Sequence, residues 1–582
     1  MTNSATGASA GTLPAEPKGF FDLRFLKGDI YGGVTAGIVA LPLALAFGEA
    51  SGAGPVAGLW GAILTGFFAA LFGGTNTQIT GPTGPMVVVF AGLVGEISVR
   101  ADGTIAPFEE VASLVFTAVM LAGVIQVLMG VFKLGNTIRL VPYPVISGFM
   151  SGIGVIIILL QFSRLFGSEP AGGGTVAAIQ AIPGAVASPN LAALLLGVLT
   201  LAIVFFWPKA IGKYLPGALA ALIIGTVLGL FLEVPILAQN LPEGFGGGLA
   251  ALPSFVLPNL SHQTAFLVVE AAIILAILGA IDSLLTSLVA DNATRTRHDS
   301  DKELRGQGIG NAVAGLFGAI PGAGATMRTM VNIKTGGVTR LSGMIHGLLL
   351  LAVVLVASDL AALIPHAVLA GILVKVGWDI IDFAYIRRAH RGPRWDLLLM
   401  AVVLGVTVFV DLITAVGIGV FLAALAFVKG IADTQLETFG EHVVTPLTPD
   451  EDAILKRAEG RIQLFAFDGP LSFGAAADLA HKVRDRARDR TALVLDFARA
   501  PRVDVSAARA VESIVTDAKA SGKTVLACDV NETVAAQLKG LGADAGLQPG
   551  WETATRLEAL HQAEAAARPG DGGLPAGAPV PA

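Results

Sequence analysis

The chain has 582 residues, 54% of them hydrophobic and 14% charged, with a formal net charge of -6 and a mean hydropathy of +0.72. Soluble globular chains carry about a quarter charged residues, so this composition excludes a soluble protein, and the acidic balance argues against nucleic acid as a partner. The one cysteine, Cys528, excludes an intrachain disulfide framework and a zinc cluster built on cysteines, and reads as a small core thiol.

Residues 1–19 are Ala, Gly, Ser, Thr and Pro with little charge and no apolar run, which predicts a disordered tail rather than a signal peptide. A transmembrane domain is expected from residue 20 to about 435. Apolar segments long enough for a hydrocarbon core of ~30 Å lie near 30–50, 54–73, 109–132, 142–165, 190–207, 215–233, 264–289, 341–358, 361–380, 395–412 and 413–431. Shorter ones lie near 83–98, 305–320 and 326–336, giving about fourteen segments in all. Lys and Arg collect in alternate connections, such as Lys133 and Arg139, Lys209 and Lys213, Arg295 to Arg305, and Arg387 to Arg394. The opposite connections carry little beyond Arg100 and Arg164, so the positive-inside rule puts both termini in the cytoplasm of a multi-pass inner-membrane protein.

Two short segments are interrupted: Gln78–Val89, Q-I-T-G-P-T-G-P-M-V-V-V, and Pro321–Asn332, P-G-A-G-A-T-M-R-T-M-V-N. They fall third in the first seven segments and third in the second seven, which predicts two repeats of seven in inverted topology. Each has small residues, glycine or proline and a hydroxyl before a helix start. Both can therefore turn unpaired backbone N–H groups toward an anion at one shared cavity.

Asp282 and Thr286, four apart in the eighth segment, share a helix face. A carboxylate at membrane depth calls for a cation, a proton or a basic partner, and hard oxygens from Asp282, Thr286 and the backbone near Gly324 suit Na⁺. The other reading is a protonated or salt-bridged Asp282 that packs the bundle. Arg328, one turn into the second half-helix, either draws in an anion and neutralises Asp282 or snorkels to an interface. Glu49, ending the first segment, is a proton-coupling carboxylate or an interfacial residue. Glu270 and Lys375 read as pairing or snorkelling groups, and His346 and His366, isolated on apolar segments, as packing residues.

Beyond about residue 435 charges return and apolar runs shorten. Residues 461–467, 492–497 and 524–530 read as buried strands alternating with helices near 474–488, 506–520 and 532–541, a small α/β domain over 440–562. Residues 566–582 are rich in Gly, Pro and Ala and read as a second disordered tail. No Walker A motif or nucleophile elbow occurs, so the chain is read as a transporter without ATPase or hydrolase chemistry, not an enzyme, and no organic cofactor is expected.

The motifs G-D-I-Y-G-G-V-T-A-G-I-V-A-L-P-L-A-L-A-F-G (28–48), P-T-G-P-M (82–86), V-P-Y-P-V-I-S-G-F-M-S-G-I-G (141–154), the Asp282 segment, G-Q-G-I-G-N (306–311) and G-A-G-A-T-M (322–327) resemble those of the SulP anion transporter family. The likeness runs from about Phe20 to near residue 562 and extends to its cyanobacterial sodium-dependent bicarbonate transporters. It implies core and gate domains, an elevator-type motion between them, a homodimer and a C-terminal STAS domain whose partner the sequence does not name. By position it implies a sodium site at Asp282, Thr286, Gly324 and Thr326, and an anion site at Thr83, Ala325 and Thr326. Two residues depart from the bicarbonate pattern. Arg328 replaces a glycine and matches sulfate and dicarboxylate members, and Glu49 replaces an apolar residue and matches proton-coupled ones. In the STAS-like part, Val505 stands where a phosphorylatable serine would be, with Ser506 next to it, so a phosphorylation switch is not expected. The expected activity is secondary active Na⁺-coupled bicarbonate symport. The alternatives are H⁺-coupled dicarboxylate or sulfate transport, and an anion channel.

Overall fold

The computed structural model describes residues 22–568 except 100–105, 136–141, 169–173, 213–214, 233, 238–252, 254, 260–264, 411, 439–445, 470 and 472. The tail expected over 1–19, and most of that over 566–582, lie outside the described residues. The chain divides into two compact units, Met1–Val420 and Phe421–Ala582.

The first unit is helical. In chain order its helices are α1 (Leu26–Ala50), α2 (Gly54–Phe72), α3 (Gly84–Ser98), α4 (Phe108–Val131), α5 (Tyr143–Leu165), α6 (Gly174–Ala187), α7 (Leu191–Phe206), α8 (Lys209–Gly212) and α9 (Gly217–Gly229). They continue as α10 (Ala265–Thr294), α11 (Ser300–Leu316), α12 (Thr326–Lys334), α13 (Arg340–Ala362), α14 (His366–Ile380), α15 (Phe383–Ala389), α16 (Arg394–Phe409) and α17 (Leu412–Thr438), the last running on into the second unit. Each apolar segment expected from the sequence falls on one of these helices. Among the described residues, five are long and apolar enough to span a bilayer alone, and α6 and α7 form a pair bent by 117° that was expected only in its second half.

Packing sorts the helices into two groups. α1–α4 pack with α10–α13, and α5–α7 and α9 pack with α14 and α16. The order repeats along the chain: four helices to the first group, then helices to the second, and again. Close approach in the first group depends on small residues, as in other helix pairs that lack a hydrophobic driving force. A Cβ on Gly308 would fall 2.5 Å from the Gly123 carbonyl oxygen, so α11 and α4 meet backbone to backbone there.

The first unit also holds two very short strands, β1 (Thr80–Gly81) and β2 (Ala323–Gly324), paired antiparallel with Thr80 opposite Gly324 and Gly81 opposite Ala323. β1 leads into α3 and β2 into α12, so the two interrupted segments begin their half-helices from one shared strand pair.

The second unit contains a parallel sheet in the order β3 (Ile462–Asp468), β4 (Ala492–Arg499), β5 (Thr524–Cys528). Alternate residues point to opposite faces of a strand. Phe465, Phe467, Leu493, Leu495 and Phe497 join one core with α19 (Phe473–Arg486), α20 (Val505–Ala520) and α21 (Glu532–Gly540). Ile462, Leu464, Val494, Leu526 and Cys528 join the other with α18 (Pro449–Arg457) and α22 (Arg556–Ala567). α18 and α22 were not expected. α22 reaches Ala567, past the expected domain end at 562 and two residues into the stretch read as tail, because Ala559, Leu560, Ala563 and Ala567 bury one helix face on the sheet.

On this second face Arg556 is buried between two carboxylates. It donates to Glu451 at 2.9 and 3.0 Å and to Asp496 at 3.3 Å. Those hydrogen bonds hold the Glu451 carboxyl below its ordinary value. Ligand atoms of Asp496, Cys528 and Asp529 lie within 4.8 Å of one another. Burial pushes the Cys528 thiol up, and Arg556 pairs with Asp496. Arg556, Glu451 and Asp496 form an ion-paired core beside this group.

Breaking a buried pair leaves an uncompensated charge, so Arg556→Met is expected to cost the second unit about 3–5 kcal/mol. Limited proteolysis of the full chain in detergent checks it. Because the folded Glu451 value is depressed, its stabilisation is present above the ordinary 4.5 and is lost as pH falls through the lower folded value. The wild type should therefore show this acid loss of protease resistance and Arg556→Met should not.

Candidate ion-binding site

The strand pair sets where the two half-helices start. Thr83 is the N-cap of α3 and Ala325 that of α12, and neither residue caps its helix with a side-chain hydrogen bond. The first-turn N–H groups of a helix have no intrahelical acceptors, so both starts offer donors and a positive dipole end. Ala325 is an exception to the expected donor set. Its own N–H donates to the Ile79 carbonyl at 2.8 Å in the strand pair, so it contributes a buried apolar wall and not a hydrogen bond. Thr83 Oγ1 is buried and without a hydrogen-bond partner.

Opposite these starts runs the middle of α10. Thr286 Oγ1 lies 2.9 Å from the Gly324 carbonyl oxygen and 2.7 Å from Thr326 Oγ1. One turn earlier, Asp282 lies near Thr83, with no hydrogen bond formed between them, and within the field of the Arg328 charge. Its Oδ2 is buried and has no hydrogen-bond partner, and no ion pair to Arg328 forms. Thr286, Gly324 and Thr326, named together by the resemblance, thus converge, with Asp282 one turn earlier on the face of Thr286. Their donor set is a carboxylate, two hydroxyls and a carbonyl, all hard oxygens of the kind that bind alkali and alkaline-earth cations. Thr326 is solvent-exposed while Gly324, Ala325 and Thr286 are buried, so the cluster is reached from one side.

Arg328 does not snorkel. It is 2% exposed, and its Nη2 donates to the Pro82 carbonyl at 2.5 Å, tying α12 to the turn before α3. Nη1 is buried without a partner and lies against Gly81, where a Cβ would come within 2.5 Å of it. Half the guanidinium is therefore structural and half is left for something else.

Behind the strand pair is a polar scaffold that sequence reasoning missed. Glu303 on α11 is 1% exposed and accepts from Gly74 N and Thr75 N at 2.8 Å each, from Gln78 Nε2 at 2.9 Å and from Gln307 Nε2 at 2.8 Å. Gln307 Nε2 also donates to Thr80 Oγ1 at 2.7 Å, and Ser287 Oγ donates to Gln78 Oε1 at 2.8 Å. Asn311 accepts from Gly322 N at 2.8 Å, and Ser283 Oγ accepts from Gly324 N at 3.0 Å. The signal was present: Glu303, Gln307 and Asn311 recur every four residues, a polar stripe on one helix face.

Glu49 is buried within the protein. It is 6% exposed, with Arg164 Nη2 and His366 Nδ1 each 3.2 Å from its Oε1, which also corrects the reading of His366 as mere packing. Glu49 lies in the last turn of α1. Lys375 pairs with Asp379 one turn on in its own helix at 2.5 Å. His346 is fully buried, and neither ring nitrogen has a hydrogen-bond partner.

Residues 26–403 match the model of the Sulfate permease family, and residues 453–555 match the STAS domain. The Bicarbonate transporter BicA of Picosynechococcus sp. is 45% identical over 504 residues, covering 85% of this chain and 87% of that protein. The Putative sulfate transporter YvdB of Bacillus subtilis is 32% identical over 507 residues, covering 86% and 90%. Among solved structures, the transmembrane domain of a cyanobacterium bicarbonate transporter BicA superposes with a TM-score of 0.62 at 45% identity, over 68% of this chain and 98% of that one.

Glu303→Gln turns an N–H toward groups that themselves donate. It is expected to cost about 1–3 kcal/mol for each donor left without an acceptor, read as a lower unfolding temperature of the detergent-solubilised protein. Unchanged unfolding would show that the loop from Gly74 to Gln78 is held by other means.

Proposed function

The chain belongs to the sulfate permease family, and on that premise we propose that it is a secondary active transporter of a small anion, bicarbonate first, coupled to Na⁺. The observation that carries this reading is the meeting of two uncapped half-helix starts with the Asp282–Thr286–Gly324–Thr326 oxygens, beside a buried carboxylate oxygen that has no partner. The anion would sit at the half-helix starts, against Thr83, the wall of Ala325 and the first-turn N–H groups from Thr326 onward. Na⁺ would sit among Asp282, Thr286, the Gly324 carbonyl and Thr326. Each transported ion lowers the electrostatic cost of the other, since the cation offsets the Asp282 charge that would repel the anion. Similarity to a bicarbonate transporter over most of the chain supports the choice of anion.

Further parts of the reading are the inner membrane of a bacterium with both termini cytoplasmic, a homodimer, and a regulatory role for the STAS domain. The division of the helices into two groups suits an elevator-type motion, in which α1–α4 and α10–α13 carry both ions past the remaining helices. Arg328 favours a second reading, H⁺-coupled sulfate or dicarboxylate transport, because its unpartnered Nη1 adds a positive charge suited to a divalent anion. An anion channel is distinguished by current without a coupling ion.

Proteoliposome uptake of radiolabelled bicarbonate, sulfate and dicarboxylates, with and without a sodium gradient, tests these readings together. Sodium-dependent bicarbonate accumulation is expected. Asp282→Ala should reduce it to the level of empty liposomes, and unchanged sodium dependence would remove Asp282 from the cation site. Arg328→Gly is expected to shift preference from sulfate toward bicarbonate by about tenfold, the equivalent of one charge-assisted hydrogen bond. Sulfate uptake driven by a pH gradient alone would replace the first reading with the second.

A further inference from the structure

Where the two helix groups meet, the surfaces are largely apolar. Leu41, Leu45 and Leu59 of the first group and Leu222, Ile223 and Val227 of the second face a cavity of about 320 Å³. Further along, Phe47 and Val88 line a small cleft with Ile157, Leu160, Leu373 and the polar Gln161. Apolar surfaces in close contact slide at little cost, because neither side holds a partner that the other must give up. At one place three polar side chains converge instead.

Glu49, in the last turn of α1, belongs to the first group. Arg164, in the last turn of α5, and His366, opening α14, belong to the second. Both basic residues sit 3.2 Å from the same carboxylate oxygen, and the side chains of Glu49, Arg164 and His366 are 6%, 12% and 5% exposed. The basic side is anchored. His366 N donates to the Pro235 carbonyl at 3.1 Å, and Leu237 N to Ile364 O at 2.9 Å, so the start of α14 is fixed from outside the first group. Neither α2 nor α9, which also pack on α1, carries a charged residue. Pulling the groups apart would strand a carboxylate and a guanidinium in an apolar seam, where unpaired charge is costly.

We propose that Glu49, Arg164 and His366 form an ionic clamp that locks the two helix groups in the arrangement seen here and must open before they can move past one another. The clamp rests on the reading that these groups move during transport. Its residues are not those of the Asp282 cluster. The clamp holds narrow the cleft lined by Val88 and Ile157, whose further lining residues Phe47, Leu160 and Leu373 lie on the same three helices as the clamp residues.

The full chain reconstituted in liposomes allows a direct test. With Cys528→Ser removing the natural thiol, Val88→Cys reports opening of the seam through its rate of modification by a small membrane-permeant maleimide. Glu49→Gln and Arg164→Gln are each expected to raise that rate at least tenfold, and the double variant to resemble Glu49→Gln, which already breaks both contacts. Rates equal to the parent in either single variant overturn the clamp, and so does a double variant whose increase is the product of the two. If the charge variants fail to reconstitute, His366→Gln, which keeps the Glu49–Arg164 pair, should raise the rate by a smaller factor, and an unchanged rate overturns the three-membered contact. Bicarbonate uptake on the same liposomes separates this result from the functional reading. A parent without uptake but with clamp-dependent labelling retires the transport assignment alone, whereas normal uptake with labelling insensitive to all three residues retires the clamp alone.

Discussion

Two residues of β1 paired with two residues of β2 fix the geometry on which the ion site depends. Non-helical backbone at membrane depth is tolerated only where its polar groups are satisfied, and here the antiparallel pairing of Thr80–Gly81 with Ala323–Gly324 supplies part of that satisfaction. The pairing also sets the positions of two helix starts. Shifting the register by one residue would move Thr83 and Ala325 relative to each other and exchange which backbone groups face α10. Ala325 loses its N–H to this pairing, while Gly324 keeps its carbonyl within reach of Thr286.

The strand pair is too short to stand alone, and the side chains behind it account for its persistence. Glu303, Gln307 and Asn311 reach from α11 to the loop before β1, to Thr80 itself and to Gly322 before β2. Ser283 and Ser287 do the same from α10. Thr329 Oγ1 accepts from Ile79 N at 3.0 Å, and Asn332 Nδ2 donates to the Thr77 carbonyl at 2.8 Å, so α12 braces the loop that pairs with its own start. A buried polar network rigidifies when nearly all its members are satisfied. Partnerless buried atoms remain at Thr83, Asp282 and Arg328 beside the site and, within the network, at Gln307 Oε1 and Asn332 Oδ1.

Much of this was legible in the sequence because membrane segments announce themselves by length and apolarity. The interrupted segments stood out because glycine, proline and hydroxyls break that pattern at Gln78–Val89 and Pro321–Asn332. Convergence of Asp282 and Thr286 followed from helix periodicity. Tertiary pairing was not legible. Nothing local to Glu49 indicates that Arg164, 115 positions on, shares its seam, nor that His366 completes the contact. The Ala325 N–H was lost to a two-residue strand that no propensity signal could predict. α18 and α22 were missed because their charged faces look like surface loops until the sheet supplies a partner for Ile454 and Leu560.

The buried carboxylates of the first unit show how the fold assigns different tasks to one chemical group. Asp29 accepts from Val338 N, Thr339 N and Thr339 Oγ1, and Glu303 accepts four N–H bonds, so both have their negative charge spread over fixed donors and serve as braces. Glu49 instead meets Arg164 and His366 on the other helix group, a pairing whose strength depends on how the two groups are aligned. Asp282 alone among these four is left with a buried oxygen that nothing in the protein satisfies, beside Arg328 but not in contact with it. A carboxylate fully saturated by fixed donors has no reason to bind and release an ion. One with an open oxygen in an apolar helix bundle, on the face that carries Thr286, is the group of these four on which the proposed cation site rests.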